Sequence, residues 1–245
     1  MLIRVTNRCT MGCKHCMIDA SGPEGGHMNL ETLKQALAFA EACKVRVLIV
    51  SGGEPFEHPE IASVLRMCAD FQVRTATVVT VCSNGVFAFD EEKFALADRC
   101  GLVVQVTNDK RYYGRDLWLI KHKFDRPLMC FEDQVRTIVP CRRTRESKIS
   151  ATRMSPMCFN LRSAVRTLGF EKGLLTLEAH GKYCTPSVNI DGSIGAGEMD
   201  TCFRIGNVLM KPEELTEKVR RMRCSGCGLR GNLSPFHRAA IGESP

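Results

Sequence analysis

Apolar positions alternate between two periods along most of the chain, and the alternation predicts the architecture. Leu2 to Thr6 is a short strand-like run. From an N-capping Asn29 to about Lys44, Leu30, Leu33, Leu37 and Ala40 recur at helical spacing while Glu31 and Glu41 fall off that stripe. Val45 to Val50 is nearly continuous in apolar residues, as expected of a strand covered on both faces of a parallel sheet. A helix over 59–70 follows, carrying Ile61, Val64, Leu65 and Cys68, and then a strand over 75–82 that runs into Ser83-Asn84-Gly85. A helix over 90–99 leads to a strand over 102–106 that ends at Thr107-Asn108, and Trp118 and Ile120 belong to the next helix. Val135 to Val139 reads as a fifth strand, 159–168 as a helix and Leu174 to Leu177 as a sixth strand. Six such βα units need about 180 residues, so the fold class expected is α/β, a partial (βα)6, three-quarter TIM-like barrel over 1–182.

Past residue 183 the alternation stops. Ser187 to Ile194 reads as a hairpin turning at Asp191-Gly192, and a helix over 212–222 follows. The second unit, 183–245, is thus a small C-terminal hairpin-plus-helix domain.

Composition narrows the class. A chain of 245 residues with 44% apolar and 25% charged residues is ordinary for a globular protein. The segment Met1 to Asn7 lacks the apolar region of a signal peptide, and no apolar run approaches membrane length. The 14 cysteines are therefore read as reduced thiols in a cytoplasmic protein rather than as a disulfide framework. The net charge of +7 is spread along the chain, apart from a knot at Arg142-Arg143-Thr144-Arg145, and reads as a solvated face. A nucleic-acid partner is disfavoured, because aromatic residues do not interleave with the basic ones.

The chemistry concentrates in Cys9-Thr10-Met11-Gly12-Cys13-Lys14-His15-Cys16, directly after the first strand. A chain of this composition would carry such a triplet by chance only about 0.05 times. Thiolates are soft ligands suited to iron–sulfur clusters, zinc or copper(I). Zinc would want a fourth ligand, which His15 supplies only by bending back within its own loop. Three thiols fill three sites of an iron–sulfur cluster and leave one iron open.

A Cys-x3-Cys-x2-Cys loop after one strand, with Ser51-Gly52-Gly53-Glu54-Pro55 after the next, resembles the radical S-adenosylmethionine (SAM) enzymes. The resemblance implies that Cys9, Cys13 and Cys16 hold a four-iron four-sulfur cluster whose open iron binds SAM. Gly52, Gly53, Glu54 and Pro55 would hold the methionine amino group, and His15 stands where the family usually places an aromatic residue. Ser83 and Asn84 match a segment that lies near the SAM ribose in related enzymes. Gln105 and Asn108 are further candidates for the same hydroxyls, and Arg136 for the SAM carboxylate. A reducing flavodoxin- or ferredoxin-type electron donor is implied as partner.

Cysteines return at Cys184, Cys202, Cys224 and Cys227. Their spacing, Cys-x12-Gly-x4-Cys through Gly197 followed by Cys-x2-Cys, resembles the twitch form of the SPASM extension. This implies a second, auxiliary four-iron four-sulfur cluster. Gly192 lies further ahead of Cys202 than that family's hairpin usually allows, and a structural zinc on the four thiols is the other reading. The cysteines at 43, 68, 82, 100, 130, 141 and 158 are mostly core fillers. Cys82 and Cys141 each end a predicted strand on the active rim, which makes them candidate catalytic hydrogen-atom donors. The resemblance implies hydrogen abstraction from a small molecule followed by net oxidation, as in a twitch-containing aminocyclitol dehydrogenase. The other reading is maturation of a ribosomal peptide by crosslinking or epimerisation.

Overall fold

The short strand Leu2–Thr6 (β1) is buried at every position and lies inside the sheet rather than at its edge. The remaining elements are α1 (Leu30–Ala42), β2 (Val47–Gly52), α2 (Ile61–Thr75), β3 (Val78–Ser83), α3 (Glu91–Arg99), β4 (Val103–Thr107), β5 (Met129–Glu132), α4 (Arg142–Glu146), α5 (Met157–Leu168), α6 (Phe170–Glu178), β6 (Ser187–Val188), β7 (Ser193–Gly195), β8 (Arg204–Asn207) and α7 (Pro212–Arg221). The computed structural model describes residues 1–20, 22, 24–135, 138, 141–151, 157–178, 186–197 and 202–222. Of the expected site residues, Arg136, Cys184, Cys224 and Cys227 lie outside them.

The eight strands form one sheet in the order β5-β4-β3-β2-β1-β6-β7-β8. Neighbours from β5 to β6 are parallel, and β6-β7-β8 is antiparallel. Parallel pairing places partners on the same face, so Ile3, Val50, Val81, Val104 and Met129 form one row under the helices. All five are buried, packed with Leu33, Leu37 and Phe39 of α1 and Val64, Leu65 and Phe71 of α2. A neighbouring row on the opposite face is polar and only partly covered: Cys82 pairs with Gln105, and Gln105 with Cys130. Each β-branched residue on the helix-facing row adds to the buried apolar surface, at roughly 25 cal/mol per Å². The other face is left for chemistry.

Local signals explain the elements. Asn29 caps α1 through a 2.7 Å bond from the Thr32 N–H. Asp90 caps α3 by accepting from the N–H groups of Glu92 and Lys93. The hairpin turns at Asp191-Gly192, where Gly192 has φ +77°. Trp118 and Ile120 sit on a 3-10 helix over Trp118–Phe124. Among the described residues no helix is long and apolar enough to cross a membrane.

Two strand assignments are corrected. Leu174 to Leu177 lies in α6, because Phe170, Leu174 and Leu177 recur at helical spacing and pack their buried faces into the core beside Leu161 and Val165 of α5. A four-residue apolar run carries no period of its own, and here the stripe extends back to Phe170. The fifth strand is Met129–Glu132, ahead of the expected Val135 to Val139, of which only Val135 and Ile138 are among the described residues. Val135 and Ile138 lie outside any strand, and the Val135 N–H donates to Asp109 Oδ2. The chain therefore reaches its sixth parallel strand only at Ser187, which pairs with β1 and carries the C-terminal hairpin into the same sheet.

Candidate functional site

Three strand exits meet at one point. β1 ends at Thr6, and the loop that follows carries Cys9, Cys13 and Cys16. β2 ends in Gly52-Gly53, which runs against that loop so closely that side chains are excluded. A Cβ on Gly52 would stand 2.1 Å from the Thr6 carbonyl oxygen, and one on Gly53 would stand 2.0 Å from that of Arg8. Gly52 also has φ +141°, a conformation that favours glycine. The close approach permits two bonds, Gly53 N–H to Thr6 O at 2.6 Å and Glu54 N–H to Arg8 O at 2.8 Å.

Glu54 joins the third exit. Its carboxylate is 1% exposed. Oε1 accepts from Ser83 Oγ at 2.8 Å and from Phe56 N–H at 3.1 Å, and Oε2 accepts from Asn84 N–H at 2.8 Å. Burial pushes its pKa up to about 7, opposed by these three bonds. Pro55 opens the 3-10 turn Pro55–Glu57, which buries Phe56 against Phe87 with ring centroids 4.2 Å apart. Asn84 completes the connection, donating from Nδ2 to Cys9 Sγ at 3.5 Å. Cys9, Asn84, Glu54 and Ser83 thus form one buried network across β1, β2 and β3.

The three thiols share this point. Cys9 is buried, while Cys13 and Cys16 are half-buried. Burial pushes Cys9 up to about 11, with the charges of Glu54, Glu57 and Cys16 adding to it. Burial also raises Cys13 strongly, assisted by Cys9 and Cys16, and it raises Cys16; the nearby Arg143 guanidinium pulls both down. Three soft donors that resist becoming anions together suit a cationic iron centre, which relieves both burial and mutual repulsion. Among the described residues no three His, Cys, Asp or Glu side chains converge on a single metal ion. An iron–sulfur cluster would instead take each thiolate on its own iron, and Cys13 and Cys16 both pack against the buried group that holds Cys9.

Two further segments brace the loop. Residues 108–117 lie against it: Lys14 N–H donates to Tyr112 O at 2.7 Å, and a Cβ on Gly114 would meet the Met11 carbonyl at 2.4 Å. His15 sits between the rings of Tyr112 and Tyr113, 5.5 and 5.1 Å away, and Tyr113 packs beside Cys13 and Cys16. Asn108 organises this segment, donating to Arg115 O at 2.9 Å and accepting from Leu117 N–H at 3.1 Å. Buried Asp109 holds Arg111 at 2.8 Å, and that guanidinium keeps its carboxyl well below the usual range. The second brace is the start of α4. Arg143 and Arg142 both bind Asp19; of the basic knot Arg143 is docked on the loop, while Arg142 and Arg145 stay exposed.

The expected residues are distributed unevenly. Cys9, Cys13, Cys16, Gly52, Gly53, Glu54, Pro55, Ser83 and Asn84 are brought together. Gln105 and Cys82 lie side by side on the open face, with Cys82 Sγ 3.8 Å from Gln105 Oε1. Cys141 caps α4 instead of ending a strand, and its thiol faces Cys16 O at 3.3 Å. Cys130, expected in the core, is exposed. Of the C-terminal thiols, half-buried Cys202 alone falls among the described residues. Tyr113, Asp109 and Arg143 escaped sequence reasoning. Only Arg143 had a signal, the basic knot itself.

Residues 3–123 match the family model for the Radical SAM superfamily. An 88-residue stretch is 26% identical to a GTP 3',8-cyclase of Campylobacter fetus subsp. fetus (strain 82-40), covering 35% of this chain and 27% of that protein. Crystal structures share the fold at low identity. BtrN in complex with AdoMet and 2-DOIA has a TM-score of 0.61 at 15% identity, with 94% of this chain and 88% of that chain covered. Streptococcus suis SuiB bound to precursor peptide SuiA has a TM-score of 0.56 at 14% identity, with 93% and 69% covered. Residues 3–123 thus resemble a radical SAM domain, and the α/β sheet is like that of these solved structures.

Proposed function

We propose, with the radical SAM domain as premise, that this enzyme abstracts a hydrogen atom from a small polar substrate and completes a net oxidation. The observation that carries the reading is the convergence of Cys9, Cys13 and Cys16 with Glu54, Ser83 and Asn84 where three parallel strands end. Cys9, Cys13 and Cys16 would hold a four-iron four-sulfur cluster. Bound there with SAM, it would supply the electron that cleaves the sulfonium to a 5′-deoxyadenosyl radical.

The chain's own residues orient and shield. Gly52 and Gly53 keep the backbone low enough for the methionine end of SAM to approach the loop. Glu54 fixes the turn from beneath, and Ser83 and Asn84 set the third strand exit beside it. Tyr112 and Tyr113 cover the loop and limit the access of water to it. Gln105 and Cys82 present polar groups on the open face, where a hydroxylated substrate would lie. Cys184, Cys202, Cys224 and Cys227 would hold a second four-iron four-sulfur cluster as electron acceptor.

The extent of the fold likeness to BtrN, covering most of both chains, supports the small-molecule reading. The likeness to SuiB, solved with a precursor peptide, supports peptide maturation as the second reading. Protein reconstituted without oxygen is expected to convert SAM to 5′-deoxyadenosine when given a chemical reductant, and Cys13→Ala should abolish this. Undiminished 5′-deoxyadenosine from Cys13→Ala would remove the catalytic centre from this loop.

A further inference from the structure

The basic knot at 142–145 is not needed to explain the strand-end network, yet it touches the cysteine loop at several points. Arg143 forks three ways: Nε donates to Asp19 Oδ1 at 2.6 Å, one terminal nitrogen to Cys13 O at 3.0 Å and the other to Ala20 O at 3.1 Å. It therefore spans the loop from its second cysteine to its exit. Asp19, which also holds Arg142, has φ +53°, a left-handed conformation that aspartate tolerates better than most residues. The same helix start presses the Cys141 thiol on Cys16 O at 3.3 Å. Arg143's side chain is only 16% exposed, against 66% for Arg142. A planar guanidinium placed so is a fixed cation with its donors already committed, which lysine cannot imitate.

We propose that Arg143 is a positioning residue of the catalytic loop, shaping residues 13–20 and supplying a fixed positive charge that raises the reduction potential of the centre held there. This rests on the reading of Cys9, Cys13 and Cys16 as cluster ligands. Groups behind the ligands orient them and tune the metal, and a cation beside a cluster favours its reduced, more negative state. The electron needed to cleave SAM has to enter this cluster, so a charge that eases its reduction acts on the reaction without touching substrate. The polar bond to the Cys13 carbonyl couples that charge to the ligand's own backbone.

The test is a redox titration of the reconstituted protein, following the electron paramagnetic resonance signal that changes when SAM is added, together with iron release to a chelator. Arg143→Met keeps the length of the side chain and loses both fork and charge. Its potential should shift negative, and the site's affinity for iron should fall about 10- to 100-fold, the usual penalty for removing an outer partner of a metal ligand, seen as faster loss to the chelator. Arg143→Lys should lose iron faster while keeping most of the potential, because it retains charge without the fork. Asp19→Asn should also hasten iron loss, but with a positive shift of potential because it removes the carboxylate that offsets the guanidinium, and it serves if Arg143→Met does not fold. Arg145→Met, on the exposed side of the same helix, should match the parent in both. A folded Arg143→Met with the parent's potential overturns the proposal, even if iron leaves faster, since Arg143 would then be a structural brace alone. If Arg143→Met does not fold, Asp19→Asn and Arg143→Lys both behaving as the parent overturn it instead. A parent protein with no SAM-responsive signal would fail the cluster reading itself, a result distinct from either.

Discussion

Glu54 shows how one buried side chain ties three strand exits together. Three donors fix its oxygens, yet burial still favours the protonated acid, so its folded pKa of about 7 exceeds the 4.5 of an unperturbed carboxyl. Between those values the folded state binds more protons than the unfolded state does. This contribution to stability is therefore full below about pH 4.5, declines as pH rises to about 7, and stays flat above. Glu54→Gln lacks the titration. The stability of the parent relative to Glu54→Gln should fall by up to about 3 kcal/mol between pH 4.5 and pH 8. Urea unfolding at a series of pH values measures it, and parallel curves for the two proteins would show that Glu54 stays ionised throughout.

Elements here are placed by close backbone approach as much as by periodicity. The exits of β1 and β2 meet because Gly53 has no side chain to hold them apart. Adding a Cβ 2.0 Å from the Arg8 carbonyl must separate the cysteine loop from the turn, so Gly53→Ala should cost about 2–4 kcal/mol. Gly101 supplies the comparison. Its φ of +70° strains an alanine, but nothing lies within 4 Å of the added carbon, so Gly101→Ala should cost only about 1 kcal/mol. A Gly53→Ala loss in urea midpoint no larger than that of Gly101→Ala would show that the contact with Arg8 relaxes instead of deciding. Similar crowding seats residues 108–117 over the loop, where Gly114 lies against Met11.

For the whole molecule, the sheet runs without interruption from β5 through β1 into the C-terminal hairpin. The hairpin is thus anchored to the strand that feeds the cysteine loop. A chain bearing two clusters should hold about eight irons after reconstitution, all in four-iron four-sulfur form by Mössbauer spectroscopy, from the ligand arithmetic of Cys9, Cys13 and Cys16 plus four C-terminal thiols. Zinc with only four irons would assign the C-terminal thiols a structural metal. If that second site accepts the electron, a Cys224→Ala/Cys227→Ala variant should still take deuterium from labelled substrate into 5′-deoxyadenosine while forming no oxidised product. Full product from a folded double variant would exclude the acceptor role.

Local spacing by itself determined a good deal of this protein. The cysteine loop, the Gly-Gly-Glu-Pro turn, the first four strands, the Asn29 cap and the Asp191-Gly192 hairpin all rest on signals within a few residues of one another. Such signals are written directly in the chain, because a cap, a turn or a ligand loop closes over a short distance. Tertiary structure alone decided the rest. β5 formed where β4 had an open edge in register. Ser187 found β1 across the whole chain. Glu54 met Ser83 and Asn84, and Arg143 met Asp19, between segments remote in sequence. Those pairings exist only once folding has brought distant charges and donors out of water, where each needs a partner, and no periodicity records which partner that will be.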